Sequence, residues 1–351
     1  MKNWAVAITA VLLLLTGCND KEKASGPKEP VKEVEEVIQE EVENELPYVF
    51  PLTGVGSEAK TDGRAVAVII NNHPKARPQS GLNKADIVYE LLAEGDVTRF
   101  LAVFQSEKPD NMGPVRSARD YYIDLAKGLD ALFIAHGYSE EARELLEREF
   151  VDNLNGMVYD GTLFKRASFR DAPHNSYITY ENVLKGAKEK KYSMNQSPPD
   201  FHFLSEKDSQ SITGDEANTV MISYSASEIF NSIYEYDESV GKYKRYSNGD
   251  QTIDYETKEP ILLDNLFIIE TKHQVIDEAA HKEIDLVSGG SGYLLQKGKV
   301  MKVEWKNDNG VIVPIRDGEV VPFVQGKTWV NVVPTNPGLQ SSVSFNVNNL
   351  N

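Results

Sequence analysis

The chain has 351 residues, with 37 Lys and Arg against 54 Asp and Glu, for a formal net charge of −17. Such an acidic balance argues against nucleic acid as a partner and against a basic surface gripping anionic lipid. The length suits two domains, and the single cysteine, Cys18, rules out an internal disulfide.

At the N-terminus, Lys2 precedes an apolar run from Ala5 to Leu15. The run is too short to span a bilayer and has the flanks of a secretory signal peptide. It closes on Leu15-Thr16-Gly17-Cys18, which resembles a bacterial lipobox. That resemblance implies cleavage before Cys18, a diacylglyceryl thioether on its sulfur and acylation of the new N-terminus. Residues 1–17 are thus expected to be a signal peptide and 18–46 a lipid-anchored acidic tether. The protein then sits on the outer face of the cytoplasmic membrane. Glu33, Glu35, Glu36, Glu40, Glu41, Glu43 and Glu45 crowd this tether, and like charges favour a disordered, extended chain.

Folded structure is expected from Leu46-Pro47-Tyr48. Arg64–Ile70 is a near-continuous apolar run and predicts a buried strand. Asp86–Leu92 and Thr98–Phe104 predict two more, joined by a turn at Glu94-Gly95-Asp96 and so antiparallel. Gly113-Pro114 punctuates the loop before a helix expected from Ser117, as N-cap, to Lys127. Ala131–Ala135 reads as a strand, Ser139–Phe150 as a capped helix, Met157–Tyr159 as a short strand and Tyr180–Lys191 as a helix. Ser197-Pro-Pro-Asp200 marks a domain boundary. Beyond it come nine or so short strand candidates separated by Gly, Asn, Asp and Pro turns. The expected fold is α+β or α/β: an N-terminal α/β domain with a mixed sheet over 47–200, then a mostly antiparallel β domain over 201–351. Trp305 and Trp329 read as core of the second domain.

No Walker-type loop, HExxH, CxxC or Gly-x-Ser-x-Gly elbow occurs. Gly289-Gly-Ser-Gly292 reads as a turn between strands rather than a phosphate cradle. The six histidines lack metal-ligand spacing, so neither a metal site nor a cofactor is expected. What remains is a concentration of basic groups at strand ends of the first domain. Arg77 follows the first strand, beside Asn72 and His73, and Arg99 starts another. Arg116, Ser117, Arg119 and Asp120 open the central helix. His136 ends the next strand. Arg170 and His174 lie in a later loop, near Lys165 and Arg166. A helix start with two guanidinium groups suits an anion. Pairing of the same arginines with acidic side chains is the competing reading. Individually, His136 reads equally as a buried satisfied histidine, His174 as a loop hydrogen-bonder, and Lys165 and Arg166 as solvated surface.

Gly113-Pro-Val-Arg-Ser-Ala-Arg119, Ala85-Asp-Ile-Val-Tyr-Glu90, Thr98-Arg-Phe100 and Gly326-Lys-Thr-Trp329, with the lipobox, resemble the YerB family of lipoproteins from Bacillus and related Gram-positive bacteria. The resemblance spans residues 48 to 340. It implies two domains of unknown function, a location and an architecture, but no established activity. Between Asp86 and Ser139 the order of elements is also similar to the LytR–CpsA–Psr phosphotransferases, which hold a polyprenyl pyrophosphate with arginines and an aspartate. Three functions follow. One is an envelope lipoprotein binding an anionic ligand through the arginines, with a protein partner on the β domain. Another is a phosphotransferase-like enzyme acting on polyprenyl-phosphate-linked glycopolymers, with Asp120 or His136 as base. The last is an interaction scaffold whose arginines form ion pairs.

Overall fold

Apolar residues on both faces of a strand require cover on both sides, and this requirement sets the architecture. A computed structural model describes residues 46–346, which belong to one compact unit, Glu45–Asn351. The expected signal peptide, Cys18, the expected tether up to residue 45 and the tail from residue 347 lie outside the described residues. In chain order the elements that frame the site are β1 (Val66–Asn71), β2 (Ile87–Glu94), β3 (Val97–Phe104), α1 (Asp120–Gly128), β4 (Leu132–Ala135), α2 (Glu140–Glu147), β5 (Asn153–Asn155) and α3 (Tyr180–Lys190). The second half adds β6 (Ser232–Asp237), β7 (Lys242–Ser247), β8 (Asn265–Thr271), β9 (Gly290–Gln296), β10 (Lys299–Asp308), β11 (Val311–Arg316) and β12 (Thr328–Pro334).

One sheet of 12 strands runs through both halves. Its path is Glu319–Val320, β11, β10, β9, β8, β12, β2, β3, β1, β4, β5, and the twelfth strand, Asp215–Glu216, pairs with β10 off this path. The N-terminal part is mixed, as expected. β2, β3 and β1 pair antiparallel, whereas β1, β4 and β5 pair parallel. The later strands pair antiparallel, except that β12 lies parallel to both β8 and β2. The boundary read at Ser197–Asp200 therefore falls in the chain, but the sheet crosses it. A second sheet of six strands, with β6 and β7 at its centre, packs over one face.

The sheet separates two apolar cores. On one face Tyr89, Leu91 and Leu101 pack with Tyr122, Ile123 and Leu125 of α1 and Leu146 of α2. On the other, Val88, Phe100 and Phe104 pack with Trp329, Tyr234, Tyr243 and Val183 of α3. Trp305 and Trp329 are both core residues, as expected. The end of α1 is fixed by contact between backbones. A Cβ on Gly128 would stand 2.1 Å from the Gly310 carbonyl oxygen, so only glycine lets α1 meet the β10–β11 turn.

Three local expectations fail. Ser117 is not the helix cap. Residues 115–118 are extended, bridging Ile70 through Val115 and Tyr138 through Ala118, so α1 starts only at Asp120. The segment Met157–Tyr159 is a helical turn, because Asn155 Oδ1 accepts from the Met157 N–H at 2.9 Å and caps it. Finally, Gly290–Gly292 are strand residues of β9, where a Cβ on Gly290 would collide with the Glu270 carbonyl oxygen at 2.8 Å.

Candidate functional site

Strict alternation along β2 would place Glu94 on the same face as Glu90. The β2–β3 register shifts between Leu92 and Glu94, and this bulge brings Glu94 to the α1 face, alongside Arg99. Arg99 there forms an ion pair with Glu94 Oε1 and donates through Nη1 to the Ser117 carbonyl oxygen at 2.6 Å. Arg119 donates to Glu94 Oε2 at 3.1 Å and to the Ala118 carbonyl oxygen at 2.8 Å. Arg116 completes the set, 3.8 Å from Glu94 Oε1. The side chains of Arg99 and Arg119 are only 2% and 6% exposed, while that of Arg116 is 23% exposed.

Three guanidinium groups thus share one carboxylate, and the cluster carries two unmatched positive charges. Burial works to raise the Glu94 pKa, but Arg99, Arg119 and Arg116 together outweigh it and hold the group below the ordinary glutamate value. Burial and the neighbouring Arg99 push Arg116 down to about 10. Among the described residues, the Nε atoms of Arg116 and Arg119 have no hydrogen-bond partner.

Three histidines flank Arg116. His136, whose N–H donates to the Arg116 carbonyl oxygen at 2.9 Å, lies with its ring against Gly156. Its Nε2 is 2.9 Å from Arg166 Nη2. Arginine has only donors, so Nε2 must accept and Nδ1–H must donate to Ser176 Oγ at 2.7 Å. His73 and His174 stack with ring centroids 4.7 Å apart. Asn71 Oδ1 accepts from the His73 N–H, which leaves Asn71 Nδ2 to donate to His174 Nδ1 at 2.8 Å. His73 Nδ1 accepts from the Lys75 N–H. Both rings are therefore held as neutral tautomers with Nε2–H as the remaining donor. Burial lowers the pKa of all three histidines, and the Arg116 charge adds to the effect in each.

The family described as "Protein of unknown function (DUF3048) N-terminal domain" matches residues 52–193, and its C-terminal counterpart matches residues 220–330. Over 338 residues the chain is 43% identical to the Bacillus subtilis (strain 168) protein named "Putative lipoprotein YerB", covering 95% of this chain and 96% of that one. The chain belongs to the YerB family. The crystal structure of the Bacillus subtilis YerB protein superimposes with a TM-score of 0.79 at 45% identity, over 85% of this chain and 99% of that one. The Glu94 cluster and its histidines all lie in the N-terminal DUF3048 region.

Of the residues singled out from sequence, Arg99, Arg116 and Arg119 converge, with the Ser117 carbonyl as part of their scaffold. His136 and His174 flank them. Arg77 turns elsewhere: its Nε donates to the Asn72 carbonyl oxygen and side chain, and its Nη1 to Ile229. Arg170 is a loop clamp. It donates to the carbonyl oxygens of Ala76 and Pro78 and stacks over Phe169 and Tyr255. Asp120 lines a separate concavity with Asp124, Lys127, Lys272 and Glu283. Burial, Glu141 and Glu283 raise its pKa. It is thus not placed to act as a base beside the arginines. The motif Gly113–Arg119 contains Arg116 and Arg119 of this cluster, whereas Glu94 reads from sequence only as a turn residue. His73 was legible as a neighbour of Arg77, yet its stacking on His174, 101 positions along the numbering, has no sequence signal.

Proposed function

We propose that the protein is a lipid-anchored envelope protein that binds an anionic ligand at the face formed by Arg116, His73 and His174. The observation that carries this reading is the sharing of Glu94 by three guanidinium groups, of which Arg116 is the most exposed. In a chain of net charge −17, a local surplus of positive charge with unpartnered donors suits a phosphate-bearing or carboxylate-bearing ligand. Arg99 and Arg119 add buried positive charge beside Arg116, and Glu94 is the group that attracts all three. The Leu15–Cys18 motif and the lipoprotein name of the Bacillus subtilis relative support attachment to the outer face of the membrane.

Calorimetric titration of the full chain with a short-chain polyprenyl pyrophosphate, and separately with inorganic pyrophosphate, tests the site. Binding is expected for the wild type and is expected to be about tenfold weaker in a folded Arg116→Ala variant. Equal affinity in that variant rejects the assignment. A second reading treats the cluster as an ion-pair node alone, and the near-complete burial of Arg99 and Arg119 favours it. Unfolding of Arg116→Ala, with no ligand bound by the wild type, would select it.

A further inference from the structure

A second basic cleft opens where the loop from Pro74 to Gln79 meets β7 and the segment from Asp250 to Ile253. Its volume is about 460 Å³, a size suited to a small ligand. Two guanidinium groups line it, and one is deeply buried. Arg245 is 1% exposed. Its Nη2 donates to Glu90 Oε2 at 3.0 Å and to Ser232 at 2.8 Å, and its Nη1 donates to Thr252 Oγ1 at 2.9 Å. Its plane lies 4.9 Å from the ring of Trp329. With all of these contacts made, Arg245 Nε still has no partner among the described residues, and neither has Arg77 Nη2. Both unpartnered donors belong to side chains lining the same cleft.

The charges do not cancel there. Glu90 balances Arg245, whereas Arg77 has no carboxylate within ion-pair distance among the described residues. Asp250 acts on it only from the exposed rim. Burial and the Arg245 charge push Arg77 down to about 10, a repulsion that an anion between the two groups would relieve. The rest of the wall includes Pro74, Pro78 and Ile253.

We propose that this cleft binds a small organic monocarboxylate, its carboxylate between Arg77 and Arg245 and its apolar body against Pro74, Pro78 and Ile253. One unmatched positive charge among the buried groups, opposed only by the exposed Asp250 at the rim, suits a monoanion better than a doubly charged phosphate, and a guanidinium fork matches a carboxylate. The apolar wall gives the body of the ligand a reason to leave water. No residue of this cleft belongs to the Arg116 face, so the two sites stand or fall separately.

The test is thermal denaturation of the full chain at constant ionic strength with benzoate and hexanoate, against benzamide, hexanamide and inorganic phosphate. In the chain carrying Arg116→Ala, which lacks the other proposed anion site, the two carboxylates are expected to raise the melting temperature, and the amides and phosphate are not. Arg77→Gln, with folding checked by circular dichroism, is expected to weaken carboxylate binding about tenfold or more, the effect of losing a charge-assisted hydrogen bond. Asp250→Asn removes a repelling rim charge and is expected to tighten binding about two- to threefold. The proposal is overturned if neither carboxylate stabilises the Arg116→Ala chain, if phosphate does so in their place, or if adding Arg77→Gln leaves the carboxylate response unchanged. Should Arg77→Gln not fold, Asp250→Asn decides, and an unchanged affinity there overturns the proposal.

Discussion

Glu90 and Glu94 stand four residues apart on β2 and form opposite kinds of cluster. Glu90 is fully buried on the second-sheet face. It accepts from Asn72 and Thr98 of its own half, and from Ser232, Arg245 and Trp329 Nε1 of the other. One carboxylate meets one cation, and both oxygens are saturated. Glu94, swung to the α1 face by the bulge, meets three cations with its one carboxylate. Balance and saturation mark Glu90 as a lock between halves of the chain. Imbalance at a partly exposed edge sets Glu94 apart as the base of the proposed binding face. Residue type does not separate them, since both are glutamates paired with arginine.

The largest effect should come from breaking the lock. Arg245→Met leaves Glu90 as a buried unpaired charge and is expected to cost about 3–5 kcal/mol, read from urea unfolding. Adding Glu90→Gln to Arg245→Met should restore much of that loss, because the uncompensated charge is gone. Glu94→Gln is expected to cost about 1–3 kcal/mol by removing the shared acceptor. It should nevertheless tighten pyrophosphate binding, since the arginines lose their competitor. A loss of both stability and affinity would erase the distinction between the two glutamates. Arg116→Ala should change stability by less than about 1 kcal/mol, as its ion pair is long and partly solvated. The same change should weaken anion binding about tenfold.

The smallest expected effect is on pH dependence. His73 and His174 have folded-state pKa values below 6.5, lowered first by burial and then by charges that include Lys75 and Arg116. Their neutral forms therefore contribute stability that is present above pH 6.5 and lost as the pH falls through their folded-state values. An anion bound beside them raises those values, so sulfate affinity should increase about two- to threefold as the pH falls below 6.5. His73→Gln with His174→Gln should flatten that slope in calorimetry. Glu94 works in a lower window: its depressed pKa adds stability above pH 4.5 that is lost on further acidification.

Much of the fold is local and was legible. β1 to β4 follow from apolar runs and turns, and α2 follows from Ser139, whose Oγ accepts from the Ala142 N–H. What escaped is non-local. The Glu90–Arg245 pair joins residues 155 positions apart, and Tyr243–Tyr246 on its own reads as an ordinary strand. The bulge that re-aims Glu94 has no strong sequence mark beyond the nearby Gly95. Ser117 has the chemistry of a cap, but Val115 and Ala118 on either side of it already bridge Ile70 and Tyr138 and hold the segment extended. Arg77 and Arg170 share the residue type of the cluster without sharing its location. Basic residues at strand ends therefore name candidates, and only the fold sorts them.

The place of β12 between β8 and β2 has a consequence for the order in which the chain can finish folding. Ile87–Glu90 take their parallel partners from Thr328–Asn331, near the other end of the polypeptide. A chain made from its N-terminus can close the β2–β3 hairpin early, yet it must then hold an unpaired apolar edge while more than two hundred further residues are added. Such an edge is a template for pairing between molecules. Truncation before Thr328 would leave it open permanently, as would producing residues 47–200 alone, and both products are expected to aggregate. The last long strand thus acts as a seam that protects the first ones, and the N-terminal half depends for its solubility on sequence made at the very end.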